Sequence, residues 1–523
     1  MLDAAPECVQ AMKASLVQRP VLAVWLLVAT ATTLPYVVAP LQAPPGQAFQ
    51  GFFFFVDDHY LYLSYAQQAE DGAFLFRNKL VAEPHRASLV NLEWWLVGRL
   101  SRILGRNPFA AYRVVGALLA LVFLIAVHRW LRLAGLPRAR RLWALLLVCL
   151  GGSFGGLLYA TGLLEPRRAL DMATGLFPAL GLLANPHFTA GTALLLLALE
   201  AFLRGDARGN LTGILLGSAL ALVRPYDVVL LILVRGLGIV FSRPASAWFR
   251  EALPMAGLLP VIAFDYWAFY MNPAFAFYAR APYAFPRLED LALALGPAVL
   301  AAALAFAAPP ADRGAVTARR HLIAWLVVGA LVVVLRPVHF SLQFLVGIGA
   351  PLLILASLGL ARFRPAVLWT SLVVLGTTPI FTLAILLQPL PHWYTAEARL
   401  LAARALQPLC APDDLVLAPP DIGLFVGGLS ACKPWVSHPS HPDHPTRVAA
   451  TEAFYGRLAP ASRAALLDRE RIRHVVLPQD AGEIPEGWLG VGTPFRRSAA
   501  VGAPGRRIAL YSRATGPSPG RAP

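Results

Sequence analysis

Apolar runs long enough to span a bilayer, or nearly so, recur at 20–40, 109–128, 142–162, 185–203, 211–223, 228–241, 252–271, 290–308, 322–335, 338–360 and 366–388. A straight span takes about 20 residues, within a range of roughly 17–25, so the pattern predicts about eleven membrane helices. Two neighbouring pairs are divided by Arg-Pro breaks, Arg224-Pro225-Tyr226-Asp227 and Arg336-Pro337-Val338-His339. Lys13 and Arg19 precede a first run that reaches Ala39. That is long for the apolar stretch of a cleaved signal, and it reads as a retained helix.

Three stretches depart from this pattern. In the loop 41–108, Asp58, Tyr62 and Tyr65 share one face of a helix that Gly72 ends. Ser88–Leu104, with Trp94 and Trp95 beside Arg99 and Arg102, reads as an amphipathic helix lying in the membrane interface. The run Phe52–Phe55 reads as an interfacial anchor first and as a lipid-binding wall second. Between 151 and 184, Gly151-Gly152-Ser153-Phe154-Gly155-Gly156 allows close helix packing, and Glu165, Arg167, Arg168 and Asp171 follow. Non-helical backbone at this depth belongs inside protein or along a wet cavity. After Gln388-Pro389 the chain turns polar and Pro-rich, with a helical stretch at Thr395–Leu406 and strands at Asp414–Ala418, His474–Leu477 and Arg507–Tyr511. Such alternation predicts a small α/β domain.

Arginine sets the orientation. Arg129, Arg132, Arg138, Arg140 and Arg141 fall in one loop; Arg204 and Arg208, Arg243 and Arg250, Arg313, Arg319 and Arg320, and Arg362 and Arg364 fall in alternate loops. Basic loops are cytoplasmic, so the N-terminus is inside, while the 41–108 loop, both Arg-Pro breaks and the tail are outside. The reading is an α-helical polytopic membrane protein with external amphipathic loop helices and a C-terminal soluble α/β domain. Its parts are a transmembrane domain over 1–388, with the acidic loop 41–108, an external domain over 389–514 and a disordered tail over 515–523.

Composition agrees: 57% of residues are hydrophobic, 14% are charged and mean hydropathy is +0.60, against about 25% charged in soluble proteins. The net charge of +16 is scattered among apolar segments rather than gathered on a soluble face, which argues against nucleic-acid binding. Cys149 sits in an apolar run. Cys410 and Cys432 share the tail, where an oxidising compartment would let them form a disulfide.

Candidate chemistry starts at Asp57-Asp58-His59-Tyr60, because carboxylates beside hydrocarbon need hydration, a partner or a function. Either the pair caps the helix, or one acid is a general base while the other positions it or binds a metal. Glu83-Pro84-His85-Arg86 offers a second carboxylate and a phosphate contact, or is a plain polar loop. His187 is a core histidine or a ligand. Arg224 and Asp227 pair with each other, or Arg224 meets a phosphate. Arg336 and His339 have the same two readings, and Gln343 lines the same cavity. Arginine suits phosphate because its planar fork donates two parallel hydrogen bonds. In the tail, His438, His441 and His444 with Asp443 could hold a metal, but the prolines between them prevent a regular helix that would align the imidazoles, so the motif reads first as a loop over the membrane cavity or as a segment without function.

A long first helix, then an acidic pair with Tyr60 close behind, then a helix ending at Asp71-Gly72, resembles the GT-C superfamily of membrane glycosyltransferases. That superfamily includes protein mannosyltransferases, lipid A aminoarabinose transferases and the RgtA/B/C/D-like bacterial group. Phe76-Arg77-Asn78 with Glu83-Pro84-His85, Asn185-Pro186-His187-Phe188, Arg224-Pro225-Tyr226-Asp227 and the segment Gly423–His438 are similar to a poorly characterised bacterial branch.

The resemblance implies an inverting hexosyl or pentosyl transferase in a bacterial inner membrane, with its site on the periplasmic face. It would take a sugar from a polyprenyl-phosphate donor to a glycan, lipid or protein acceptor. Asp57 becomes the base and Asp58 its neighbour, and Tyr60, Arg224, Arg336 and His339 become donor contacts. No cofactor is implied with certainty, and a divalent metal is left open. The rival reading is a lipid or solute transporter or flippase, since broken helices with polar residues also mark carriers. Against it, the polar clusters gather on one side and no repeat is visible.

Overall fold

A computed structural model describes residues 19–165, 168–173, 175–280, 285–338, 340–436, 438–456, 458–478, 494–502 and 507–514. Chain contacts divide it into two compact units. The first comprises Met1–Pro35, Arg113–Asp265 and Pro282–Leu387; the second comprises Tyr36–Tyr112, Tyr266–Ala281 and Gln388–Pro523. The acidic loop therefore belongs to the same unit as the tail, rather than to the helical part that precedes it.

Among the described residues, eight helices are long and apolar enough to cross a membrane, and a ninth span is possible if the pair Pro365–Leu375 and Thr377–Leu386, bent by 45°, is one. This is a multi-pass membrane protein, and among the described residues fewer helices reach spanning length than the sequence has apolar runs. The run at 142–162 stops at Leu150 because its backbone amides leave the helical ladder. Gly152 donates to the Leu375 carbonyl at 2.7 Å, and Ser153 and Gly155 both donate to the Asp171 carboxylate at 3.1 Å. A Cβ at Gly155 would collide with that carboxylate, so the glycine run is a carboxylate cradle as well as a packing surface. The run at 211–223 forms a 15-residue helix, Ala207–Ala221. It ends because Pro225 pushes Arg224 into extended backbone, φ −143° and ψ 94°. Within the first unit, Ser341–Leu360 is buried along nearly its whole length.

The second unit is built around the helix Val56–Glu70. Leu92–Ile103 packs on one side of it: a Cβ at Gly98 would strike the Ala66 carbonyl and stand 2.6 Å from Ala69 Cβ. Pro420–Leu429 packs on another, where a Cβ at Gly428 would stand 2.5 Å from the Tyr60 ring and 2.8 Å from its carbonyl. Gln47–Phe49 pairs antiparallel with Tyr394–Ala396, and the helix Glu397–Ala405 follows.

The tail carries a five-stranded sheet in the order Lys433–Pro434, Leu415–Leu417, Ile472–Pro478, Ile508–Arg513, Phe495–Val501. The first three strands are parallel and the last two are antiparallel additions. Three of these strands are the ones the sequence marks. Cys410 and Cys432 are joined in a disulfide, with 5.2 Å between their Cα atoms.

The run Phe52–Phe55 is not simply an interfacial anchor. Phe52 and Phe53 are buried. Phe52 stacks on His59 at 4.4 Å and meets Phe109 and Tyr112 at 5.6 and 5.5 Å. Phe53 meets Tyr36 and Trp393 at 4.9 and 5.1 Å. Trp94 is likewise fully buried, stacked between Tyr62 and Tyr112, so the Leu92–Ile103 helix is a packing element on that face.

Because both close approaches lack a Cβ, Gly428→Val should destabilise the second unit by about 1–3 kcal/mol through overpacking. Gly296→Ala, at a helical position with nothing within 4 Å, should be neutral or mildly stabilising. Thermal unfolding of the two purified variants checks the contrast.

Candidate active site

The chain enters Val56–Glu70 through Phe55, whose φ of 51° is left-handed, so the turn into the helix is abrupt. Asp57 and Asp58 occupy the first helical turn, but no side chain caps this helix. The pair therefore does not perform the capping that the simplest reading assigns it, although its charge still favours the helix dipole.

His59 and Tyr60 fix the pair from behind. His59 is fully buried, with Nδ1 2.9 Å from the Phe55 carbonyl and Nε2 2.7 Å from the Tyr112 hydroxyl. Only a proton on Nδ1 serves the carbonyl, so Nε2 accepts from Tyr112. Tyr60 is fully buried, donates its hydroxyl to the Gln50 carbonyl at 2.9 Å and meets the Phe425 ring at 4.7 Å. It tethers the helix start and is not open to a donor phosphate.

Asp57 is exposed at the helix start. Its pKa is nonetheless raised above the ordinary carboxylate value, chiefly because the surrounding protein displaces water. His438 and His444 pull it down when each carries a proton on both ring nitrogens, and the Asp58 charge adds to the rise. Asp58 is half open to solvent, and its Oδ1 lies 3.6 Å from Nε2 of the buried His438.

The histidine motif forms two successive turns. His438 Nδ1 accepts from the Ser440 amide at 3.1 Å, and His441 Nδ1 accepts from the Asp443 amide at 3.2 Å. His444 opens the helix His444–Tyr455. Among the described residues, the group of His, Cys, Asp and Glu close enough to share an ion is Cys410, Cys432 and His474, not this motif. The two sulfurs of that group are already bonded to each other.

A cavity of about 510 Å³ lies in the second unit, lined by Glu83, His85, Arg86, Asn272, His441 and Asp443 together with Trp267 and Met271. Glu83 is ion-paired with Arg447, which also approaches Asp443 at 3.8 Å. His85 has both nitrogens occupied, by the Glu83 carbonyl at 2.8 Å and the Asn78 amide at 3.0 Å, and burial lowers its pKa. It is a neutral strut of the wall. Arg86 is exposed.

Sequence reasoning missed Lys79. Its ammonium is buried, donates to Gln67 Oε1 at 3.1 Å and to the Ser430 carbonyl, and burial pushes its pKa down to about 7. Lys433, also buried, reaches Asp413 at 3.0 Å. The signal was rarity. Lys13, Lys79 and Lys433 are the only lysines among 45 basic residues, and a lysine kept where arginine is the rule warrants attention.

The remaining candidates belong to the first unit. Arg224 is buried; its Nε lies 2.9 Å from Asp227 Oδ2, its Nη2 reaches Gln343 Oε1 at 3.3 Å, and its guanidinium covers the Phe188 ring at 4.8 Å. A Cβ at Gly191 would collide with this pair. As it stands, Arg224 is committed to Asp227 and Gln343 rather than open to a phosphate. Arg336 is exposed, left-handed at φ 44°, and lies over Phe285 at 4.7 Å, which leaves it accessible to an anion. His187 is half-buried against Phe188. His339 lies outside the described residues.

No family model matches the chain, and no curated protein matches it in sequence. Solved structures do match in fold. The mycobacterial arabinofuranosyltransferase AftD superposes with a TM-score of 0.53 at 16% identity, over 94% of this chain and 40% of that one. The Archaeoglobus fulgidus oligosaccharyltransferase in its apo form superposes with 0.54 at 10% identity, over 88% and 70%. The same enzyme tethered to an acceptor peptide gives 0.53 at 10% identity, over 95% and 74%. The chain thus has the fold of the GT-C glycosyltransferases, and it spans 40% of the length of AftD.

The buried Arg224–Asp227 pair makes a prediction independent of any activity. Arg224→Leu should destabilise by about 3–5 kcal/mol, because it strands a buried carboxylate. Adding Asp227→Leu should recover much of that loss, and Arg336→Leu should cost under about 1 kcal/mol. Thermal unfolding of the three variants measures this.

Proposed function

We propose that the chain is a membrane glycosyltransferase that moves a sugar from a polyprenyl-phosphate donor to an acceptor hydroxyl on the outer face of the membrane, with Asp57 as general base. The observation that carries the reading is the acidic pair at an uncapped, left-handed helix entry, locked by His59–Tyr112 and Tyr60–Gln50 in a chain with the GT-C fold.

In the proposed reaction Asp57 takes the proton of the acceptor hydroxyl as the oxygen attacks the anomeric carbon. The bond from that carbon to the phosphate oxygen breaks, the configuration inverts, and polyprenyl phosphate departs. A carboxylate with a raised pKa is the better base, because its proton affinity lies closer to what the hydroxyl demands in the transition state. The fold shared with AftD and the archaeal oligosaccharyltransferase supports glycosyl transfer as the class of reaction to test first.

Removal of a general base typically costs 10²–10⁴-fold. Mass spectrometry of envelope glycans and lipid-linked sugars in a strain lacking the chain should therefore reveal an unglycosylated acceptor that the wild type restores and Asp57→Asn does not. Restoration by the Asn variant would sink Asp57 as the base. The base works only when deprotonated, so the acidic limb of the rate profile should fall as pH drops through a value above the ordinary 3.8 of an aspartate.

A further inference from the structure

We propose that His438 is a positioning residue for the acidic pair, holding Asp58 through its Nε2–H so that Asp57 is left to take the acceptor proton. This rests on the glycosyltransferase reading above.

His438 is fixed on every edge but one. Its amide donates to the Leu80 carbonyl at 3.2 Å, and Pro439 restricts the backbone just after it. Its ring meets Tyr278 edge-on at 5.4 Å. Its Nδ1 accepts from the Ser440 amide at 3.1 Å. An amide can only donate, so Nδ1 carries no proton and the neutral ring has its hydrogen on Nε2. That Nε2 is buried and makes no hydrogen bond, and the acid beside it is Asp58, at 3.6 Å.

A buried donor without a partner is costly. The remaining gap lies within the looseness that sites show before substrate binds, since such bonds tighten in the reacting complex. Asp58, half open to solvent, is the partner that can move.

The arrangement separates two acids that the sequence presents as equals. The charged and titratable groups that act on Asp57 are His438, Asp58 and His444. Engaging Asp58 with His438 offsets one negative charge and leaves Asp57, the more exposed carboxylate, as the one that can meet a hydroxyl. It also gives the tail a direct hand in the acidic loop, through a side chain nearly 400 residues away in sequence.

The test uses the full-length protein, labelled with ¹⁵N-histidine and held in detergent micelles. The His438 resonances, assigned by their loss in His438→Gln, should report the Nε2–H tautomer. Asp58→Asn should move the Nε2 proton upfield, and Asp57→Asn should leave it nearly in place. A proton on Nδ1, or a resonance that ignores Asp58→Asn, overturns the proposal.

In cells, His438→Asn keeps the bond from Ser440 but withdraws the donor from Asp58, whereas His438→Gln carries an amide toward the Nε2 position. Misplacing a catalytic group by about 1 Å can cost about a hundredfold, so His438→Asn should lose product on that order while His438→Gln recovers most of it. Equal loss in both variants also overturns the proposal. If the Asp58-dependent shift is present while Asp57→Asn retains full product, the His438–Asp58 contact stands and the base reading alone falls.

Discussion

Everything proposed for this protein depends on how closely its acidic helix can be approached. Val56–Glu70 carries the carboxylates, and two other helices press on it where they have no side chain, at Gly98 and Gly428. Tyr60 lies beneath Gly428, and its hydroxyl ties the helix start to Gln50. Behind it, Phe52, His59, Trp94 and Tyr112 form a buried aromatic cluster in which His59 and Tyr112 are hydrogen-bonded at 2.7 Å. The helix start can therefore hold two carboxylates near protein without moving away from them. A rigid support of this kind is what a positioned base requires.

The same economy governs charge elsewhere. Arg224 and Asp227 are buried together, buried Lys433 reaches the exposed Asp413, and Arg447 pairs with the exposed Glu83. Asp171 is buried but takes two backbone amides and the Thr378 hydroxyl. In each case the cost of removing an ion from water is met by a partner in contact. Asp57 combines exposure with a raised proton affinity.

Local signals made the helix and its motif legible. Spacing of Asp58, Tyr62 and Tyr65 marked one face of a helix, and Gly72, at φ +105°, follows its last residues as the sequence suggests. The extended Arg224 before Pro225 is equally local. What the sequence hid was set by distant partners. Phe52 and Phe53 look like a membrane anchor until Tyr36, Phe109, Tyr112 and Trp393 enclose them. The run after Leu150 looks like a full span until Asp171 draws its amides away. Nothing near His438 in sequence points to Asp58, and nothing near Lys79 points to Ser430.

The most direct measurement is ³¹P NMR of the purified full-length protein in nanodiscs, supplied with a panel of polyprenyl-phosphate sugars and envelope acceptors. The account predicts that, for one donor, the phosphodiester signal converts to the phosphomonoester of free polyprenyl phosphate with wild-type protein and not with Asp57→Asn. Conversion at the same rate by the Asn variant, or no conversion with any donor, would contradict it.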